Sequence, residues 1–265
     1  MIPDFNEVYN KLNESELVEV PPSRKEIISI IKAIQSKLFP NYFTVDETVT
    51  LEEIYLKISQ QIKAAASFSN DEELDAESLA EEIIRSLPVI KEMLKKDIIA
   101  LYEGDPAAVC PEEIMLSYPG FYAISIYRIA HEFYIRKIPL LARLMTEYAH
   151  EKTGIDIHAG AKIGEYFFID HGTGIVIGET TTIGNRVKIY QGVTLGAKSF
   201  ELDEYGNPVK GIKRHPDIGN NVIIYANATI LGGKTIIGDG AVIGGNVWLT
   251  HSVEPGAVIY YDKKH

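Results

Sequence analysis

Residues 157–196 read IHAGAKIGEYFFIDHGTGIVIGETTTIGNRVKIYQGVTLG, and within them an aliphatic side chain returns every six positions except at one step. The ladder runs Ile157, Ile163, Ile169, then Ile177, Ile183, Ile189 and Leu195. It resumes at Ile218, Ile224 and Ile230, and again at Ile237, Ile243 and Leu249. Six residues make one short strand and one tight turn. Three such units close a triangular coil, which buries its apolar row only by stacking on other coils. The period therefore predicts a parallel β-helix. Antiparallel hairpins do not account for it, because they need dipeptide turn signals and vary in spacing. The step from Ile169 to Ile177 is eight residues long and holds Asp170, His171, Gly172, Thr173 and Gly174. An ionisable pair at a lengthened corner of a regular scaffold marks a candidate active site.

Upstream of the repeat the apolar period becomes helical. Ser23 is placed to cap a helix carrying Ile27, Ile30, Ile31, Ile34 and Leu38 on one face. Thr50 with Glu53 forms a capping-box pattern, and Asn70 with Glu73 repeats it before Leu79, Ile83, Ile84 and Leu87. From Phe121 to His150 the pattern predicts two packed helices bent around Pro139, stopped at Gly154. We expect an α+β chain: helices over 1–152, the β-helix over 153–256 with an extended loop at 197–217, and a short tail at 257–265.

The formal net charge of −11 argues against nucleic acid or an anionic membrane as partner. The single cysteine, Cys110, excludes an intrachain disulfide and suits a reducing compartment. It reads as a small hydrophobe rather than a nucleophile. The first ten residues, MIPDFNEVYN, lack a signal-peptide pattern, and no apolar run is long enough for a membrane span, so a cytoplasmic location is expected.

Asp156 precedes Ile157 in one coil, and His171 lies in the corner leading to Ile177 in the next. Coils stack at about 4.8 Å, so this register lets the carboxylate hold the imidazole as an oriented general base. His158 alternates outward and reads as surface; His131, on an apolar helix face, reads as a hydrogen-bonded core residue. The long interruption after Leu195 ends in Lys213, Arg214 and His215, suited to clamping a carboxylate or phosphate. Gly233-Lys234-Thr235 lacks the first glycine of a phosphate loop, and Gly238-Asp239-Gly240 lacks the third of a dinucleotide fingerprint, so both read as corner residues.

The segments DIHAGAKIG (156–164), DHGTGIVIGET (170–180), QGVTLGA (191–197) and RHP (214–216), behind a helical half with an Asp105-Pro106-Ala107 loop, resemble serine O-acetyltransferase. The resemblance is close over roughly residues 100–250. Hexapeptide repeats alone are shared by many acyltransferases; DHGTG followed by GET and RHP is far more specific. The resemblance implies a left-handed β-helix and acetyl transfer from acetyl-CoA to L-serine, the first step of cysteine biosynthesis. It makes His171 the general base oriented by Asp156, with Glu179 a structural support. Asp105 and Asp170 would hold the serine ammonium, and Arg214 and His215 its carboxylate, reaching in from a neighbouring subunit of a trimer or dimer of trimers. Acetyl-CoA would lie near Ala197, Lys198, Ala226 and Gly245, with no metal required. L-cysteine is an expected feedback inhibitor. Docking to O-acetylserine sulfhydrylase is not expected, because the family's usual C-terminal segment is missing. Ala197 and Gly104 replace a glycine and a basic residue, and the loop over 198–213 is longer than usual.

Three other readings compete. A sugar or antibiotic acyltransferase would not need Asp105, Asp170, Arg214 and His215 around a neutral acceptor. A γ-type carbonic anhydrase needs three metal-binding histidines at inter-coil spacing, which His158, His171 and His215 do not provide. A non-catalytic assembly module would have no use for a coupled Asp-His corner.

Overall fold

The computed structural model describes residues 4–13, 20–43, 49–68 and 74–261. The helices are α1 (Asn6–Asn13), α2 (Arg24–Leu38), α3 (Leu51–Ala66), α4 (Ala76–Gly104), α5 (Pro111–Ser117), α6 (Pro119–Ile135) and α7 (Leu141–Thr153). Strands numbered in chain order follow and form three parallel sheets. One contains β1 (Asp156–Ile157), β4 (Val176–Ile177), β7 (Thr194–Gly196), β10 (Thr229–Leu231) and β13 (Trp248–Leu249). The second contains β2 (Lys162–Ile163), β5 (Thr182–Ile183), β8 (Asp217–Ile218) and β11 (Ile236–Ile237). The third contains β3 (Phe168–Asp170), β6 (Lys188–Tyr190), β9 (Ile223–Ile224), β12 (Val242–Ile243) and β14 (Val258–Ile259). We call them the first, second and third faces.

Every residue of the aliphatic ladder occupies a strand and is buried. The register stacks them in columns: Ile157, Ile177, Leu195, Ile230 and Leu249 on the first face, and Ile163, Ile183, Ile218 and Ile237 on the second. The third column runs Ile169, Ile189, Ile224, Ile243 and then Ile259, which the six-residue count did not include. Each inward side chain thus loses water contact by lying on the equivalent residue of the next coil. The excursion after Leu195 leaves at the corner between β7 and β8, and pairing resumes in register at Ile183 with Ile218. A loop at a corner leaves the stacking untouched.

In the helical half, the Ser23 side chain accepts the Glu26 N–H, and Thr50 with Glu53 forms the reciprocal capping box. The proposed Asn70–Glu73 cap lies outside the described residues; α4 is capped instead by Asp75, which accepts the Ser78 N–H at 3.0 Å. The joint at Pro139 is a break, with Lys137 and Leu140 at φ 56° and 63° between α6 and α7. Gly154, at φ 68°, ends α7 as a left-handed cap.

One buried ion pair fastens the helices to the first coil. Arg128 on α6 donates to Asp97 on α4 through Nε (2.6 Å) and Nη2 (2.9 Å), and both side chains are almost wholly buried. The same guanidinium donates to the carbonyls of Ile163 (3.3 Å) and Gly164 (2.8 Å), while Asp97 accepts the Phe167 N–H at 2.9 Å. Farther along α6, Tyr127 donates to the Ala161 carbonyl, and His131 Nδ1 lies 2.7 Å from the Ala159 carbonyl. His131 is hydrogen-bonded as expected, but half-buried rather than in the core. Arg128→Met, which leaves Asp97 buried and unpaired, should destabilise the fold by about 3–5 kcal/mol in urea unfolding. A loss below about 1 kcal/mol, the range of an exposed pair, would show that the clamp carries little.

Candidate active site

The corner between the third and first faces is built from three elements. β3 ends at Asp170, and the lengthened turn then places His171 at φ 54°, a left-handed conformation uncommon for a residue with a Cβ. Other corner residues, among them Tyr166, Arg186 and Asn221, adopt the same conformation, which costs roughly 1–2 kcal/mol each. The His171 imidazole is 72% exposed, with Nε2 3.7 Å from Asp170 Oδ1. α4 delivers Asp105 as its C-terminal cap, and the α5–α6 junction delivers Tyr118. The Tyr118 hydroxyl donates to Asp105 Oδ2 at 2.6 Å, and the Ala107 N–H donates to Oδ1 at 2.8 Å.

Two glycines permit this convergence. A Cβ on Gly104 would stand 2.5 Å from the buried Phe168 ring, and one on Gly120 would stand 2.8 Å from the Ile169 carbonyl oxygen. α4 and α6 therefore rest directly on consecutive residues of β3. A side chain at position 104 would require the Phe168 ring or the end of α4 to shift.

The electrostatics keep Asp105 ionised. The hydrogen bond from Tyr118, then that from Ala107, and more weakly the nearby His171, hold Asp105 below the ordinary carboxylate range. The Asp105 carboxylate correspondingly pushes the Tyr118 hydroxyl well up. Tyr190, in register with Asp170, is raised by burial and by the Asp170 charge, and its ring stacks on Tyr225 at 5.1 Å. The hydrogen bond expected between Asp156 and His171 is absent from this conformation. Asp156 points instead toward the last turns of α7, within 4.8 Å of Glu147 and His150, and the carboxylate within 4 Å of His171 is Asp170.

Arg214 and His215 occupy the other end of the first-face strands, at the corner between the first and second faces. Thr180 anchors both: its Oγ1 accepts the N–H groups of Arg214 (3.0 Å) and His215 (3.1 Å), and its own N–H donates to His215 Nδ1 at 3.1 Å. Since Nδ1 is an acceptor, the hydrogen-bond network assigns the proton to Nε2. Burial and the adjacent Arg214 charge lower the His215 pKa to about 4, so the ring is a neutral donor at neutral pH. Arg214 Nη2 donates to Glu179 Oε2 at 2.6 Å, and the Tyr134 hydroxyl donates to Oε1 at 2.8 Å. Burial would raise the Glu179 pKa, but these bonds, with His158 and Arg214 nearby, keep it below the ordinary value. Lys213 is committed within the fold, donating to the Thr180 carbonyl and to Asp217, both at 2.6 Å. His158 departs from the surface role expected of it, being half-buried edge-on to Tyr134, with Nδ1 accepting the Gly160 N–H at 3.0 Å.

The residues expected around acetyl-CoA divide the same way. Ala226 and Gly245 lie farther along the His171 corner, with the Asn246 N–H bonded to the Ala226 carbonyl at 2.9 Å. Ala197 and Lys198 lie at the Arg214 corner, where Lys198, Lys213, Arg214 and Gly232 line a cleft of about 600 Å³. Tyr118, Tyr134, Thr180 and Tyr190 were not singled out from sequence. Thr180 and Tyr190 could have been: Thr182 pairs with Asp217 and Ile169 with Ile189, which puts Thr180 beside His215 and Tyr190 beside Asp170.

The N-terminal region of serine acetyltransferase, as a family pattern, matches residues 45–125. The plasmid serine acetyltransferase of Synechococcus elongatus is 46% identical over 261 residues, covering 90% of this chain and 81% of that protein. The crystal structure of Entamoeba histolytica serine acetyltransferase 1 in complex with L-cysteine superposes with a TM-score of 0.74 at 34% identity, covering 97% of this chain and 96% of that one. A serine acetyltransferase in complex with CoA superposes with a TM-score of 0.61 at 28% identity, covering 91% and 94% of the two chains.

Because the folded His215 pKa is depressed, the neutral ring contributes stability that is full above its unfolded value near 6.5 and is lost as pH falls toward about 4. Its imidazole NMR signals should stay flat from pH 8 to roughly 5.5, whereas a midpoint near the ordinary histidine value of about 6.5 would contradict the buried-donor assignment.

Proposed function

The chain belongs to the serine acetyltransferase family, and we propose from its two corners how it moves an acetyl group from acetyl-CoA to the hydroxyl of L-serine. It is an acyltransferase with acetyl-CoA as co-substrate, and its product is the O-acetylserine from which cysteine is made. Among the described residues no helix is long and apolar enough to cross a membrane.

The roles of individual residues are our own reading. His171 acts as general base. Its imidazole takes the proton from the serine hydroxyl as that oxygen attacks the thioester carbonyl. The tetrahedral intermediate then expels the CoA sulfur, which leaves with the proton from the imidazolium. A positioned base contributes about 10²–10⁴-fold, and holding the two substrates together supplies much of the rest. The observation that carries this assignment is the exposed His171 imidazole at the one lengthened corner of the ladder, beside Asp170 and close enough to Asp105 to act on its charge. Asp105 and Asp170 give the serine ammonium two carboxylates. Asp170, with Oδ1 3.7 Å from the His171 Nε2, is the carboxylate beside the imidazole, while Asp156 faces Glu147 and His150.

Arg214 and His215 would bind the serine carboxylate as a guanidinium and a neutral N–H donor. In one chain they lie across the first face from His171, so a complete site needs the Arg214 corner of a neighbouring copy. Flat faces packed about a threefold axis achieve this, giving a trimer or paired trimers, with acetyl-CoA in the groove lined by Ala226 and Gly245 from one copy and Ala197 and Lys198 from the next. Cysteine, which shares the ammonium and carboxylate of serine, fits the same pocket as an inhibitor. A cytoplasmic location suits this chemistry.

Thiol release from acetyl-CoA should depend on added L-serine, and its absence would contradict the assignment. His171→Ala should lower kcat by at least about 10²-fold with the oligomer intact in gel filtration. Arg214→Ala should chiefly raise the serine KM; an unchanged KM would remove it from the carboxylate clamp.

A further inference from the structure

Tyr118 occupies an over-determined position. It closes α5 and opens α6: its N–H donates to the Ile114 carbonyl at 3.2 Å, and its own carbonyl accepts the Tyr122 N–H at 3.1 Å. Pro119 follows it, which disfavours helical backbone at Tyr118 and fits the observed φ of −81° and ψ of 117°. Gly120, against the Ile169 carbonyl, fixes the distance of this junction from β3. The backbone thus has little freedom, and the side chain ends on Asp105.

We propose that Tyr118 is a positioning residue for the acceptor amine, its hydroxyl aiming the Asp105 carboxylate at the His171 corner and so setting affinity for the serine ammonium. This rests on Asp105 being an ammonium ligand. An ionised carboxylate has about four lone-pair sites; Tyr118 occupies one on Oδ2 and Ala107 one on Oδ1. The remaining sites are left for the substrate. Asp105 and Asp170 both act on Tyr118 and on Tyr190, so the two carboxylates share one corner. Around Asp105, Lys188 beside Gly104 and His171 across the turn are the basic groups, while Asp170 and Glu113 are acidic neighbours of the Tyr118 hydroxyl. A short neutral donor stabilises the charged carboxylate without adding a cation that would compete with the substrate.

The test is a double-mutant cycle of Tyr118→Phe and Asp105→Asn, with KM for L-serine, KM for acetyl-CoA and kcat measured for all four proteins. A hydrogen bond to a charged group corresponds to about a tenfold effect. Tyr118→Phe should therefore raise the serine KM about tenfold, leave kcat and the acetyl-CoA KM at wild-type values, and add nothing in the Asp105→Asn background. An unchanged serine KM in Tyr118→Phe, with a raised one in Asp105→Asn, would overturn the proposal and leave the role of Asp105 standing. An unchanged serine KM in Asp105→Asn would remove Asp105 from the ammonium site, and the proposal with it. A Tyr118→Phe effect that also changes kcat and the acetyl-CoA KM, or that persists in full without the Asp105 carboxylate, would mark a purely structural tyrosine and overturn the proposal.

Discussion

The guanidinium of Arg128 bridges a helix and a coil, and the relative placement of the two halves follows from it. Its fork takes both oxygens of Asp97 on α4, and its remaining donors reach the carbonyls of Ile163 and Gly164 at the corner of the first coil. Asp97 completes the joint by accepting the Phe167 N–H. Two charges removed from water are stabilising only when geometry is good and every remaining polar group is satisfied. Here the buried carbonyls and N–H of the coil supply those partners. A hydrophobic substitute of equal volume would pack but would not specify which turn of α4 faces which coil, and that register matters for the site.

Asp105 lies eight residues beyond Asp97 on the same helix, about two turns on, since each turn takes about 3.6 residues. Fixing Asp97 against Phe167 therefore fixes where α4 ends. Gly104 then lets that end settle on Phe168, and Gly120 lets α6 settle on Ile169. The next two residues of the coil are Asp170 and His171. The helical half thus contributes part of the proposed acceptor site. It brings the Asp105 carboxylate, bonded by the Tyr118 hydroxyl, to the corner that holds His171, the base in the proposed mechanism. At the other corner the equivalent bracing comes from Tyr134 on α6, through Glu179 to Arg214.

The β-helix was legible because an inward position in a stacked coil tolerates little except an aliphatic side chain, so packing imposes the period on the sequence directly. The lengthened step at Asp170–His171 was legible for the same reason, as a departure from that constraint. Contacts between the halves were not. Asp97 and Arg128 lie 31 residues apart, and Tyr118 and Asp105 meet only because two helices land on β3. No local period encodes such an approach. The Asp156–His171 bond failed for a related reason: register placed both residues on one side of the prism, but α7 brings Glu147 and His150 to Asp156, and His171 is free at an exposed corner. Rotamers at a solvent-facing turn are decided by tertiary neighbours and substrate rather than by spacing.

In the proposed complex one L-serine spans two corners, its ammonium on Asp105 and Asp170 and its carboxylate on Arg214 and His215 of an adjacent copy, with the hydroxyl at His171. A crystal structure with bound L-serine tests this most directly. It should show the amino nitrogen within about 3.2 Å of an Asp105 oxygen and the hydroxyl at similar distance from a His171 ring nitrogen, across an interface between two chains. Serine held entirely within one chain, or with its ammonium away from Asp105, would contradict the account.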